Sequence, residues 1–274
     1  MPNKIKEGLK LVGAGLKFSD KLVISFGIAK GIPFLLVHGA FPHNIKLPGE
    51  VTIKSELGTF FCSNNLQYVI QGSPRYEFKI RENFHLEEGI FLDIGANMGK
   101  YSILVGKELG DRGRVLAFEP LPKNYEMLKK NITLNNLKNV AALDTACGSE
   151  NKSSDLFIDS RNTGGHSLVR ETDQKIRINV KKLDNIIEDL KLNRIDLIKI
   201  DVEGAESDVL KGAVATVKKF RPKIIFESES EENVNFYRSV LGPIGYRIKK
   251  IDEHNYYAEA NGNKEQTGQE SYIP

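Results

Sequence analysis

The segment FLDIGANMGK, residues 91–100, runs from an apolar stretch into Asp93, Gly95 and Gly99, spaced D-x-G-x-x-x-G. A dinucleotide-binding turn would read G-x-G-x-x-G. Asn97 and Lys100 occupy the second and third glycine positions of that series, so this pattern fails. A carboxylate at Asp93 repels a pyrophosphate but suits a cationic ligand, and the two glycines are placed to let the backbone approach it closely. Asn97 lies inside the same turn and is counted with it. Glu119 ends the next apolar run, twenty residues after Gly99, where an acidic side chain can accept both hydroxyls of a ribose. Asp144 ends the following run, where an acceptor can receive an adenine amino group. Three acidic groups around a glycine turn fit an adenosine carrying an amino-acid arm and a positive charge. S-adenosylmethionine has that combination.

A second group of chemically capable residues lies in KIDVEGAE, which supplies Lys199, Asp201, Glu203 and Glu206. In a strand, alternation sends Lys199, Asp201 and Glu203 to one side. Asp201 is the first candidate for a base or for a group that orients an acceptor, its alternative being a cap for the helix that follows. Lys199, within an apolar run, is placed to pair with one of these acids. His166, in the glycine-hinged segment NTGGHSL (162–168), is a further catalytic candidate, and Glu227 could meet substrate or orient Lys199. No His/Cys cluster with zinc spacing occurs, and no metal is assigned; Asp201 with Glu203 is too common a surface feature to argue for Mg²⁺.

Alternating strands and helices must position these residues. GIFLDIG, RVLAFEP, NVAALD, IDLIKID and KIIFES read as buried strands, separated by amphipathic helices that include MGKYSILVGKEL and the stretch after Pro122. The pattern implies an α/β fold with a doubly wound, mostly parallel sheet, closed by the pair YRIKKI and YYAEA as an antiparallel edge hairpin. Before it, VTIKS, TFFCS and QYVIQ read as short strands. The expected organisation is a basic, partly apolar segment over 1–50, a β prelude over 51–88, the main domain over 89–260 and a disordered tail over 261–274.

The stretches FLDIGANMGKYSILVGKELGDRGRVLAFEPLPKNYEMLKKNI, VKKLDNII, IDLIKIDVEGAESDVLKGA and RPKIIFE, in this order, resemble the FkbM family of S-adenosylmethionine-dependent methyltransferases across roughly residues 75–228. KIDVEGAE is the most specific part. The resemblance implies a class I methyltransferase (Rossmann-like) fold with a seven-stranded sheet. It also implies methyl transfer to oxygen, typically a hydroxyl of a sugar, a polyketide, or a glycan-related or lipid-linked small molecule. It does not reach the first fifty residues. Two rival readings are a nicotinamide-dependent oxidoreductase, opposed by the failed glycine pattern, and a membrane-recruited binding module without catalysis, opposed by the intact acidic triad.

Composition is that of an ordinary soluble chain: 274 residues, 40% hydrophobic, 27% charged and a net charge of +3, too small to point to nucleic acid. The charge is uneven, since residues 1–46 hold seven lysines against Glu7 and Asp20. Leu22 to Phe41 has the length of a membrane span, but Lys30, Pro33 and His38 oppose insertion, and no signal-cleavage pattern follows. Ile5, Leu9, Val12 and Leu16 recur at helical spacing among lysines, which leaves open a peripheral membrane contact through residues 1–41, packing on the main domain, or a homodimer. Two cysteines, Cys62 and Cys147, are too few for a disulfide framework, so a reducing, cytoplasmic setting is the expectation.

Overall fold

A computed structural model of the chain describes residues 2–38, 44–159, 166–169 and 172–261. Most of NTGGHSL and nearly all of the expected tail lie outside these residues. In chain order the elements are α1 (Pro2–Ala14), α2 (Phe18–His38), β1 (Val51–Lys54), β2 (Thr59–Cys62), α3 (Leu66–Gln71), α4 (Phe78–Arg81), β3 (Gly89–Ile94), α5 (Lys100–Leu109), β4 (Gly113–Phe118), α6 (Pro122–Leu134) and β5 (Val140–Leu143). They continue with β6 (Ala146–Cys147), β7 (Lys152–Phe157), β8 (Lys175–Lys181), α7 (Leu183–Asp189), β9 (Leu197–Ile200), α8 (Glu206–Lys211), α9 (Val214–Phe220), β10 (Lys223–Glu227), α10 (Glu231–Leu241), β11 (Tyr246–Lys250) and β12 (Asn255–Ala260).

The main sheet has seven strands in the order β11-β12-β10-β9-β3-β4-β5. Strand β12 runs antiparallel to both neighbours and the other pairings are parallel. Seven strands, mostly parallel, agree with the sheet that the resemblance implies. The closing hairpin forms as expected, but the reversed strand sits one place in from the edge, with β11 outside it. The strands are apolar on both faces because helices cover both. Leu92, Ile94, Leu116, Phe118, Ile198, Ile200, Ile224 and Phe226 join the buried cluster that includes residues of α7 to α10, whereas Phe91, Val115, Leu197 and Ile225 pack with Tyr101 and Val105 of α5. Ala205, Val209, Ala213 and Val217 are all buried, as their spacing predicts, but they belong to two short helices that meet at Gly212.

Successive strands after β3 are laid on one side of it as far as β5, and β9 and β10 on the other. The carboxyl ends of β3 and β9 therefore flank the point where the winding reverses, the place where ligands bind in such sheets.

Two parts depart from the sequence-based expectation. QYVIQ is not a strand but lies in helix α3: Asn65 accepts the Gln67 N–H at 2.8 Å as an N-cap, and Leu66, Tyr68 and Val69 are buried together under the β1–β2 hairpin and α2. A three-stranded sheet, β6-β8-β7, interrupts the path from β5 to β9. Its strands are short or only partly buried, so their hydrophobic signal is weak.

The N-terminal elements form one packed unit with the main domain. Ile24, Ile28, Val51, Ile53, Phe60 and Tyr68 share a buried cluster with Met98, Ile103 and Met127. Two asparagines of the α6 region replace a neighbouring strand along β2. Asn131 accepts from the Phe61 N–H at 2.6 Å and donates to the carbonyls of Phe61 (3.3 Å) and Met98 (2.9 Å). Asn135 accepts from the Thr59 N–H at 2.9 Å and donates back to its carbonyl at 2.7 Å. Cys62 and Cys147 are free and buried in different clusters, and burial pushes both thiols up, so neither is poised to react.

Candidate active site

The turn after β3 is held by backbone geometry. Gly95, Asn97 and Gly99 have φ of 82°, 51° and 88°, the left-handed region that glycine enters freely and asparagine tolerates. A Cβ on Gly95 would lie 1.8 Å from the Asp201 carbonyl oxygen, and one on Gly99 would lie 2.5 Å from a methyl of Leu128. Close packing inside the protein thus requires both glycines, whatever room they also leave for a ligand. Above them, the Gly95 and Ala96 N–H groups both donate to the Phe118 carbonyl, tying the turn to β4.

Glu119 follows β4 and is buried. One carboxylate oxygen accepts the Asn97 N–H at 2.8 Å and the other the Leu121 N–H at 2.9 Å. Burial outweighs these two bonds and raises its pKa to about 7. Each oxygen keeps a lone pair, so the group can still accept from a diol.

Register pairs Asp93 of β3 directly with Lys199 of β9, and Lys199 with Ile225 of β10. Alternation then puts Asp93, Lys199, Asp201 and Glu227 on the sheet face beneath α5. Ser102 of α5 donates to Asp93 at 2.6 Å, while the other Asp93 oxygen, fully buried, has no hydrogen-bond donor and lies 3.8 Å from the Lys199 Nζ. Burial raises the Asp93 pKa against the opposing pull of Lys199 and Ser102. Lys199 is buried and donates to Asp201 at 2.9 Å. Burial alone would lower its pKa, but the charges of Asp201 and Asp93 outweigh it and hold the ammonium charged. Glu227 shares a proton with Asp201: the Asp201 charge, and then burial, raise Glu227 to about 10, while Lys199 and the Glu227 proton hold Asp201 below the ordinary carboxylate range despite its burial. Asp201 does not cap α8. The N-cap position is held by Ala205 without a side-chain cap, and the Glu206 carboxylate instead braces the turn before α8, accepting the Gly204 N–H at 2.9 Å and the Val202 N–H at 3.3 Å.

These groups meet around a cavity of about 270 Å³ lined by Gly95, Asn97, Glu119, Lys199, Asp201 and Glu227 among others. Asp93 and Gly99 lie beneath the turn and do not line it. Asp144 is exposed and also stands outside the lining, where Thr145, Ala146 and Cys147 take the place expected for it, because β5 ends at Leu143 and the chain turns inward two residues later. His166 lines the cavity. Its Nδ1 accepts the Asp159 N–H at 3.1 Å, so the neutral ring carries its proton on Nε2, and burial lowers its pKa. Its neighbour Ser167 donates to the Glu203 carbonyl at 2.7 Å, fastening the β6–β8 insertion over the end of β9.

Several lining residues carry no motif. Tyr76 and Glu77 enter from the segment before α4: Glu77 accepts from the Tyr101 hydroxyl at 2.8 Å and faces the Lys100 ammonium at 3.3 Å, which also donates to the Tyr76 carbonyl. Burial, partly offset by Glu77, lowers Lys100 to about 8. Gln67 and Gln71 of α3 complete this wall. Only their distance along the chain from the glycine turn hid them, since no spacing rule links residue 77 to residue 101.

The cavity fits the cofactor expected from the sequence. One buried acceptor of the lining, the Asn97 side-chain oxygen, lacks a donor. The acidic lining favours a cationic ligand, and Glu119 is placed for a diol. Among the described residues no group of three or more His, Cys, Asp or Glu is arranged to hold a metal ion.

Comparison with known proteins supplies a family and several relatives. The profile of the methyltransferase FkbM domain matches residues 93–256. The chain is 31% identical over 153 residues to methyltransferase sdnD of Sordaria araneosa and 28% identical over 147 residues to methyltransferase 1 of Beauveria bassiana, alignments that take in 44% and 46% of this chain. It spans 59% of the length of each of those relatives. It is also 25% identical over 129 residues to the hexuronic acid methyltransferase AglP of Haloferax volcanii, covering 46% of this chain and 50% of that one.

Proposed function

Because the chain belongs to the methyltransferase FkbM domain family, whose cofactor is S-adenosylmethionine, we propose that it transfers a methyl group to a hydroxyl oxygen of a small sugar-like or glycan-linked acceptor. The observation that carries this reading is the meeting, in one cavity, of the Glu119–Asn97 wall with the Lys199–Asp201–Glu227 group. When bound, the cofactor supplies an electrophilic methyl group that needs an aligned oxygen and little further activation. Glu119, Asn97 and the backbone at Gly95 would hold it. Asp201, kept ionised by Lys199, accepts the hydrogen bond of the acceptor hydroxyl and turns a lone pair toward the methyl group. Glu227, protonated, fixes Asp201 from the other side. Asp201 is a weak base because its pKa is depressed, so before transfer its contribution is orientation, and alignment can account for about 7–11 kcal/mol of barrier. As the oxygen–methyl bond forms and the sulfur–methyl bond breaks, the hydroxyl becomes strongly acidic and its proton passes to the Asp201 carboxylate. His166, with its proton on Nε2, is a donor to the acceptor rather than the base.

The name of the Haloferax relative suggests a second reading, a carboxylate acceptor. Glu77, Glu203 and Glu229 also line the cavity, and like charges there disfavour an anionic sugar. The test is incubation with methyl-labelled S-adenosylmethionine and matched neutral and uronic-acid glycosides. An ether product keeps its label in mild alkali, whereas an ester releases it as methanol. Alkali-stable label on the neutral sugars is the expected result; alkali-labile label on the uronates, or no transfer to either although S-adenosylhomocysteine binds, would overturn the proposal.

A further inference from the structure

Helix α2 carries apolar residues on two opposite sides, yet only one of these sides is covered. Asp20, Ile24, Gly27, Ile28, Gly31 and Leu35 face inward, and a Cβ on Gly27 would strike Leu47. At 100° per residue, Phe18, Leu22, Phe26, Ala29, Pro33, Leu36 and Val37 fall within about 100° of arc on the opposite side and form a stripe roughly 28 Å long. All seven are exposed, Phe18 at 76% and Val37 at 75%. Leu9 and Leu16 of the adjoining segment are exposed as well.

The borders of the stripe are cationic. Lys21 lies along one edge and Lys30 along the other, with Lys30 reaching 5.2 Å from the centre of the Phe26 ring, and Lys6, Lys10 and Lys17 are exposed nearby. The two acids of this region are already engaged, Glu7 by Arg75 at 2.7 Å and Asp20 by the Lys17 N–H at 2.8 Å. We infer that α2 is a membrane-surface docking helix, seated with its Phe18-to-Val37 stripe in a bilayer rich in anionic lipid and its lysines at the headgroups.

Geometry and charge together select this occupant. The helix is long and apolar enough to cross a membrane, but crossing would pull Ile24 and Ile28 out of the cluster they share with the β1–β2 hairpin and α3 and would unseat the buried Leu35. Two copies packed stripe to stripe would set lysine borders against lysine borders, since both edges carry only cations. An apolar stripe offers nothing to nucleic-acid phosphates. A bilayer surface satisfies both the stripe and its borders.

The test uses the full chain with sedimented vesicles of phosphatidylcholine, with and without phosphatidylglycerol. Partitioning should require the anionic lipid and weaken as salt is raised, because exposed charges are screened beyond about 8 Å at physiological ionic strength. The double substitution Phe18→Glu/Phe26→Glu should lower it by about tenfold or more, and Lys21→Glu/Lys30→Glu by a similar factor. Both variants alter exposed positions, so their thermal melts and S-adenosylhomocysteine binding should match the parent. Equal recovery with both vesicle types, or unchanged partitioning of the two variants, would overturn the inference. So would light scattering that shows a lipid-free dimer which Phe18→Glu/Phe26→Glu dissolves.

Discussion

Replacing Glu119 by glutamine separates a carboxylate that binds the cofactor from one that only shapes the turn. In the fold its two oxygens accept the N–H groups of Asn97 and Leu121, and its pKa rises from 4.5 to about 7 because burial penalises the charge. The sign follows from linkage: the folded state holds the proton more tightly than the unfolded one, so stability from this group is present below pH 4.5 and is lost as pH rises through about 7. A ligand diol donates to the ionised form, so binding should run the other way and weaken as the carboxylate is protonated. With a pKa of about 7, affinity at pH 5.5 should be roughly 30-fold below its plateau above pH 8. Glutamine can accept only one of the two backbone N–H groups and turns its own amide donors toward the other. That mismatch should cost about 1–3 kcal/mol of stability, and loss of a charge-assisted bond to the diol about 1.5–3 kcal/mol of binding, or 10–150-fold. Calorimetric titration with S-adenosylhomocysteine from pH 5.5 to 8.5 reads both effects. The wild type should show the slope and Glu119→Gln a weak, pH-independent affinity. A flat wild-type profile, or a variant that keeps the slope, would refute a binding role for Glu119 and leave it a turn-forming residue.

Other substitutions probe the cluster under α5. Lys199→Met leaves Asp93 and Asp201 without their buried counter-charge and should cost about 3–5 kcal/mol in urea unfolding; a loss below about 1 kcal/mol would show that the acids protonate freely instead. Gly95→Ala places a methyl group against the Asp201 carbonyl at a φ of 82°, so it should cost at least 1–3 kcal/mol of strain and part β3 from β9, read as lost cofactor binding in a protein that still melts cooperatively. Asp201→Asn should leave the dissociation constant of the cofactor within a few-fold while kcat falls by about 10²-fold, whereas His166→Ala should lose less than tenfold; reversal of that order would make the histidine the acceptor-side group.

The part of the fold that could be read from sequence is the part where local pattern and burial coincide. Strands β3, β4, β9 and β10 are short, continuous apolar runs because both faces are covered, and the last three each end in or are followed by a polar residue that enters the site. Glu119 and Asp201 were visible for that reason. Asp144 was not, since its place depends on where β5 stops, and that end is set by packing rather than by any turn residue. QYVIQ looked like a strand because Tyr, Val and Ile favour strands. The Asn65 cap and the core under α2 decided for helix. Glu77 comes from a segment with no periodic signature, Gln67 and Gln71 from the ends of QYVIQ, and all three reach the cavity only through tertiary packing. The shared proton of Asp201 and Glu227 was equally hidden, because it depends on the register of β9 with β10.

Asn131 reaches in two directions, to the backbone of Phe61 in β2 and to the Met98 carbonyl in the glycine turn. One amide therefore latches the N-terminal hairpin and the cofactor turn to the same turn of α6. Amputating the first sixty residues would bare an edge that two asparagines have already spoken for and uncover the apolar side of Met98 and Ile103. The segment outside the recognisable family core is thus no detachable accessory. Any relative that dispensed with it would have to re-clothe α6, and the amino acid at the position of Asn131 would record whether it had.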